Sequence, residues 1–199
     1  MAIGLADSGE GGIPSFQVTN STQSTISATI TVTPSYENNG IICDGNAETF
    51  TIIVNPSPEM DNIDDIVLCN NEISSIIEFT TPNTDGNTTY TWTNDNTSIG
   101  LSSSGNGDIP SFTAINLNPI SEVATITVTP TYENNGVVCI GDPQTFSISV
   151  LSEIGISGST VDALDCNDPN SGNINITVTG GSGVYDFLWS NGAITEDLN

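Results

Sequence analysis

Carboxylates, hydroxyls, amides and four thiols make up almost all the reactive side-chain chemistry of this chain. Its 199 residues include 24 Asp and Glu but no Lys, Arg or His, for a formal net charge of −24. Carboxylates alone support two kinds of chemistry. Hard oxygen ligands suit a calcium ion, and two suitably spaced acids suffice to hydrolyse a glycoside. Two acidic groups cluster near expected domain junctions: Glu59, Asp61, Asp64 and Asp65, then Asp162, Asp165 and Asp168. An ion clamped there would stiffen a chain of domains. Neither cluster has the D-x-D-x-D-G spacing of an EF-hand loop. The plainer expectation is therefore solvated turn and linker carboxylates with no resident cofactor. The same acids recur at the turns of a repeated unit too small to hold a substrate cleft, so no enzyme is expected.

The missing cations exclude more. Without a basic patch there is nothing to neutralise nucleic-acid phosphates or to attract anionic lipid. The histidine base, the Schiff-base lysine, the P-loop lysine and histidine-bearing zinc sites are all absent. The loops at Ser8–Gly11 and Ser104–Gly107 carry a Ser-Gly-x-Gly pattern. With no lysine and no following helix, they read as glycine-rich connections between strands rather than phosphate cradles. No apolar run approaches the eighteen or so residues of a spanning helix, so direct membrane insertion is not expected. The opening residues have neither a basic nor an apolar signal region.

An internal repeat organises the chain. Ile3 to Phe16 (IGLADSGEGGIPSF) matches Ile99 to Phe112 (IGLSSSGNGDIPSF), and Ala28 to Cys43 matches Ala124 to Cys139 at the same offset of 96 residues. A weaker correspondence covers the other half of the period: Cys69 precedes Trp92 by 23 residues, and Cys166 precedes Trp189 by 23. The chain then parses into the back half of one repeat (1–55), a complete repeat (56–151) and the front part of a third (152–199), as a window on a longer tandem array. Within the complete repeat, Ala124-Thr-Ile-Thr-Val-Thr-Pro130 alternates at period two, which places Ala124, Ile126 and Val128 on a buried face. Asn135-Gly136 is a hairpin-turn signal. Thr145 to Val150 alternates again, and Ile63 to Leu68, Ile76 to Phe79 and Thr88 to Thr93 complete about seven short strands. Tandem all-β, immunoglobulin-like antiparallel sandwiches are the expected fold, with Trp92 and Trp189 as core residues.

Cysteines in so acidic and polar a chain, with no C-x-x-C pair, suggest an oxidising exterior. Four cysteines allow three pairings. Cys69 and Cys139 are the two inside the complete repeat, while Cys43 and Cys166 lie in partial ones. The expectation is therefore a Cys69–Cys139 disulfide closing a loop of about 70 residues, worth about 3 to 4 kcal/mol in the chain-entropy model.

The order of Cys69, Tyr90–Asn94, Ile99–Phe112, Ala124–Pro130, Cys139–Gly141 and Thr145–Val150 resembles the PKD-like repeat of large Bacteroidetes surface proteins. The W-D-F-G-D-G signature of ordinary PKD domains is replaced by Trp92-Thr-Asn-Asp-Asn96. From about Asp165 to Leu198, with Gly180-Gly-Ser-Gly-Val-Tyr-Asp-Phe-Leu-Trp-Ser-Asn-Gly-Ala193, the chain resembles the SprB repeat of a gliding-motility adhesin. The resemblance implies a very long cell-surface or secreted protein, exported by the type 9 secretion system and used in adhesion or gliding, with no family active site. The partners it implies are neighbouring repeats of the same chain and, at the surface, glycans or other surface or secretion-system proteins. Two other readings stay open, a module binding a glycan or protein through its end loops and a self-assembling fibre subunit.

Overall fold

The computed structural model describes residues 3–161, 172–181 and 183–198. The fold is all-β: twelve strands and one 3-10 turn, with no α-helix among the described residues. Strands β1 (Ile26–Val32), β2 (Ser35–Asn38), β3 (Ile41–Asp44) and β4 (Glu48–Val54) belong to the first copy of the repeat. The second copy supplies β5 (Ile66–Cys69), β6 (Asn87–Asn94), the 3-10 turn Thr97–Ile99, β7 (Ser104–Asn106), β8 (Glu122–Asn134), β9 (Val137–Ile140) and β10 (Gln144–Leu151). The strands β11 (Gly155–Val161) and β12 (Asn173–Thr179) form an antiparallel pair in the third part. By compactness the chain divides into one unit of Met1–Asn62, Phe79–Thr91 and Thr129–Pro143 and another of Ile63–Glu78, Trp92–Val128 and Gln144–Asn199. Strands β6 and β8 contribute residues to both.

The second copy builds a six-stranded sheet in the order β5-β10-β8-β6-β7, with β9 also on β8. The period-two pattern of β8 sends Ala124, Ile126, Val128, Pro130 and Tyr132 inward, and all are buried. Antiparallel pairing sets Phe146 opposite Ile126 and Ile148 opposite Ala124, so the two strands bury one common face. Each buried Ile, Val or Phe side chain among them gains roughly 1.5 to 3 kcal/mol from burial. Residues 72–77 do not form the regular strand expected around Ile76–Phe79. They run antiparallel to 109–114 through isolated bridges, in which Ile77 and Ile109 exchange both N–H···O bonds at 3.0 Å. A second departure is β5, which joins β10 in parallel rather than antiparallel, from Ile66 opposite Ile148 to Cys69 opposite Leu151.

The sequence repeat is also a repeat of backbone geometry. The register of β1 with β4, Ile26 opposite Val54 through Val32 opposite Glu48, is that of β8 with β10 displaced by 96 residues. The β2–β3 hairpin matches the β8–β9 hairpin in the same way. Both turn at Asn-Gly, with φ of 51° at Asn39 and at Asn135, as a type I′ turn requires. Gly4 and Gly100 share a left-handed φ of 86° and 91°, and a Cβ on either would lie 2.4 and 2.3 Å from the carbonyl oxygen of Gln17 and Thr113 respectively. No other residue fits either position without backbone movement.

The copies differ in cover. Phe146 is 5% exposed but its counterpart Phe50 is 45% exposed, and Tyr132 is fully buried whereas Tyr36 is 68% exposed. The Tyr132 hydroxyl donates to the Thr84 carbonyl at 2.7 Å. Removing that hydroxyl leaves the carbonyl without its donor, so Tyr132→Phe is expected to cost about 1 kcal/mol in urea denaturation. Tyr36→Phe should stay within about 0.5 kcal/mol of the parent. Equal effects would mean the buried hydroxyl contributes nothing.

Candidate functional site

Glu59, Asp61 and Asp65 each bond to a different part of the chain. Glu59 uses its backbone, its N–H donating to Asn83 Oδ1 at 2.7 Å and its carbonyl accepting from Thr81 Oγ1 at 2.7 Å. The Asp61 carboxylate accepts from the Thr80 hydroxyl. Asp65, just ahead of β5, accepts the backbone N–H of Ser147 on β10 at 2.7 Å, and that bond holds its carboxyl below the usual aspartate range. Asp64 follows Ile63 in the same compact unit as Asp65, whereas Glu59 and Asp61 belong to the other. Among the described residues no three acidic or thiol groups are placed to hold a metal ion. Asp162, Asp165 and Asp168 lie outside the described residues.

A polar cluster that sequence reasoning missed is built from asparagines. Asn116, nearly fully buried, donates through its amide to the carbonyls of Ile120 and Val150, both at 2.8 Å. It tethers a loop to the end of β10. Asn94 does the same for the Leu101 and Ser102 carbonyls at 3.1 and 3.3 Å. Asn96 caps the 3-10 turn by accepting from Ser98 N, and its own amide donates to Glu122 at 2.9 Å and to the Val123 carbonyl at 3.0 Å. Asn118 adds a second amide to Glu122. These donors, Asn96 first, lower the Glu122 carboxyl below its ordinary value. In the first copy Asn20 repeats the Asn116 contacts, donating to Ser24 and Val54 carbonyls at 2.8 and 3.0 Å. The signal available in the sequence was the N-x-S/T spacing at Asn20, with Asn116-Leu-Asn118 as its counterpart.

Trp92 is buried in β6 as expected, and Gly105 on β7 lies against it: a Cβ there would be 2.3 Å from the indole Cζ2. The Ser104–Gly107 segment is thus partly a short strand fitted to a tryptophan. Trp189 is only half-buried, with its indole N–H donating to the Thr195 carbonyl at 2.7 Å.

The expected Cys69–Cys139 disulfide is corrected by the structure, in which both thiols are free. Cys69 sits beside Leu151, just past the Val150–Glu122 pair at the start of β8, and Cys139 pairs with Tyr132 some ten residues further along that strand. The two cysteines therefore have different ladder partners, and no strand pairing sets one thiol beside the other. A disulfide requires Cα atoms within about 7 Å. Cys43 is also a free, exposed thiol, and Cys166 lies outside the described residues.

Cys139 instead lines a groove of about 370 Å³ in the first compact unit, together with Val18, Ile53, Val54, Asn55 and Val137. Asn134 crosses it, its amide donating to Thr25 Oγ1 at 3.0 Å and to Asn55 Oδ1 at 3.3 Å. Two further bonds join the copies in this unit: Thr84 N to the Gln23 carbonyl at 2.8 Å and Thr25 N to Asp85 at 3.2 Å. The groove therefore lies where the second copy meets the end of the first.

In the second compact unit, Ser152 donates to the Pro119 carbonyl, and its oxygen accepts the backbone N–H of Gly181 at 2.9 Å. Gly181 falls in the third part of the chain, where comparison with known families is informative. Residues 158–194 match the SprB repeat family model. No curated protein and no solved structure matches the chain. The third part of the chain is thus similar to a SprB repeat, and it follows one and a half copies of a pattern that recurs at an offset of 96 residues. No helix among the described residues is long and apolar enough to cross a membrane.

The two lowered carboxyls set a pH dependence. Because Asp65 and Glu122 have folded pKa values below their unfolded ones, their contribution is present above about pH 4 and is lost as pH falls through the folded values. Asp65→Asn and Glu122→Gln mimic the protonated groups. Each variant should be less stable than the parent at pH 7, with the difference shrinking as pH falls from 5 to 2 in urea titrations. A difference independent of pH would remove the carboxylates from the account.

Proposed function

We propose that this chain is a segment of a long extracellular repeat protein, a stalk or filament of tandem immunoglobulin-like domains carried on a bacterial surface for adhesion or gliding, without enzymatic activity. The observation that carries this reading is the junction between the copies. The β8–β9 hairpin of the second copy contributes Asn134, Val137 and Cys139 to the end of the first, beside Val54 and Asn55. The matching β2–β3 hairpin of the first copy presents Tyr36, Ile41 and Ile42 exposed, as a surface made to receive a preceding repeat would. Successive units contacting only their neighbours are the mark of quasi-one-dimensional arrays.

The PKD-like resemblance of the first two copies and the SprB-type repeat that follows support export by the type 9 system. The charge pattern fits a stalk as well. A segment with a net charge of −24 repels its neighbours and stays extended, and it offers trypsin-like proteases no cleavage site. The proposed partners are adjoining repeats, with surface glycans or other surface or secretion-system proteins at the ends of the array.

Antibodies raised against residues 56–151 should label intact cells, and deleting the gene should abolish attachment or gliding on glass while growth is unchanged. Labelling only after permeabilisation, or normal attachment and movement in the deletion strain, would overturn the proposal.

A further inference from the structure

In the second copy the two edges of β10 are both occupied, by β8 on one side and by β5 in parallel on the other. In the first copy β4 has the β10 pattern and the same antiparallel partner, but among the described residues it pairs only with β1. Displacing the β5 register by 96 residues gives the place a parallel strand would take on β4. Positions equivalent to Ile66, Val67, Leu68 and Cys69 would lie opposite Ile52, Ile53, Val54 and Asn55.

The turn after β5 can be transposed in the same way. Asn70 N donates to the Leu151 carbonyl at 3.1 Å and Asn71 N to the Ala114 carbonyl at 2.8 Å. Their first-copy counterparts are Asn55 and Val18, and both line the groove that contains Cys139. The groove thus coincides with the place where a Cys-Asn-Asn turn seats in the complete copy. Ile53, 56% exposed, and the exposed Val18 are the apolar surface such a segment would cover. Strand addition of this kind draws affinity from backbone hydrogen bonds and register from alternate side chains.

We infer that the β4 edge is the docking site for a parallel β5-type strand, the one that the tandem reading assigns to the front half of the same repeat, and that docking delivers its cysteine to Cys139 of the next repeat, joining consecutive repeats by a disulfide across their junction. Oxidation of the two thiols releases two protons and two electrons to a small-molecule disulfide, which leaves as two thiols. The tandem reading above is needed only to say where the strand comes from.

The test uses the intact chain and a synthetic peptide of residues Ile63–Glu72, its cysteine activated as a mixed disulfide with thionitrobenzoate. Docking places the peptide sulfur near Cys139, whose thiolate attacks it. A new S–S bond forms, the old one breaks, and coloured thionitrobenzoate leaves with the electron pair. Peptide mapping should find the adduct on Cys139, formed at least tenfold faster than with a scrambled peptide that keeps the cysteine position. Cys43 should react equally with both peptides. Ile53→Glu, at an exposed position, should slow Cys139 capture severalfold while leaving Cys43 unaffected. Equal rates for the two peptides, or preferential capture at Cys43 or Cys69, would overturn the proposal. A failure of cell-surface labelling would leave this result untouched, because the peptide experiment does not depend on where the protein resides.

Discussion

A β-strand has two edges and two faces, and among the described residues β10 has both edges occupied where β4, built from a nearly repeated sequence, has one. Much of the difference between the copies follows. Strand β10 is held by β8 and β5, and residues 72–77 paired to 109–114 accompany a core in which Ala124, Ile126, Val128, Ile148 and Val150 are wholly removed from water. Strands β1 and β4 keep the ladder, the register and the Asn20 tether of that arrangement, yet bury only Ile30 and Val54. Local sequence dictates the ladder. The cover is a property of the other half of the unit.

The absence of cations shapes how polar groups are satisfied. Where many proteins would set an arginine or lysine against a carbonyl cluster or a carboxylate, this chain uses neutral amides: Asn116 on Ile120 and Val150, Asn94 on Leu101 and Ser102, and Asn96 and Asn118 on Glu122. A buried carbonyl needs a donor and not a charge, so an amide suffices. It also avoids the cost of burying an ion. The richness in asparagine and threonine is thus structural in part, and the acidic residues are left free to act as acceptors at strand ends, as Asp65 does for Ser147.

What could be read from the sequence was local. Period-two alternation located β8 and β10 and oriented Ala124, Ile126 and Val128 inward, and Asn-Gly marked both hairpin turns, because these depend only on neighbours along the chain. The parallel partner of β10 could not be read, since pairing direction depends on where a distant segment returns. The cysteine pairing failed for a related reason. Counting thiols within one sequence period assumes that partners share a repeat, whereas strand pairing gives Cys69 to Leu151 and Cys139 to Tyr132. The groove beside Cys139 was illegible because Val18, Ile53 and Val54 are ordinary strand and loop residues until a second copy meets them. The amide tethers left a trace only in the recurrence of Asn20 and Asn116 at the repeat offset.

The central claim is that β4 is an edge awaiting the strand that β10 already has. Residue-resolved amide hydrogen exchange on the intact chain tests it most directly. Ser147 N–H points to the β5 side, toward Asp65, and by alternation so does Ser149. Their counterparts on β4 are Thr51 and Ile53. The account predicts that Thr51 and Ile53 amides exchange at least about a hundredfold faster than those of Ser147 and Ser149, with the gap closing when the Ile63–Glu72 peptide is bound. Equal protection of the two pairs in the free chain would contradict it.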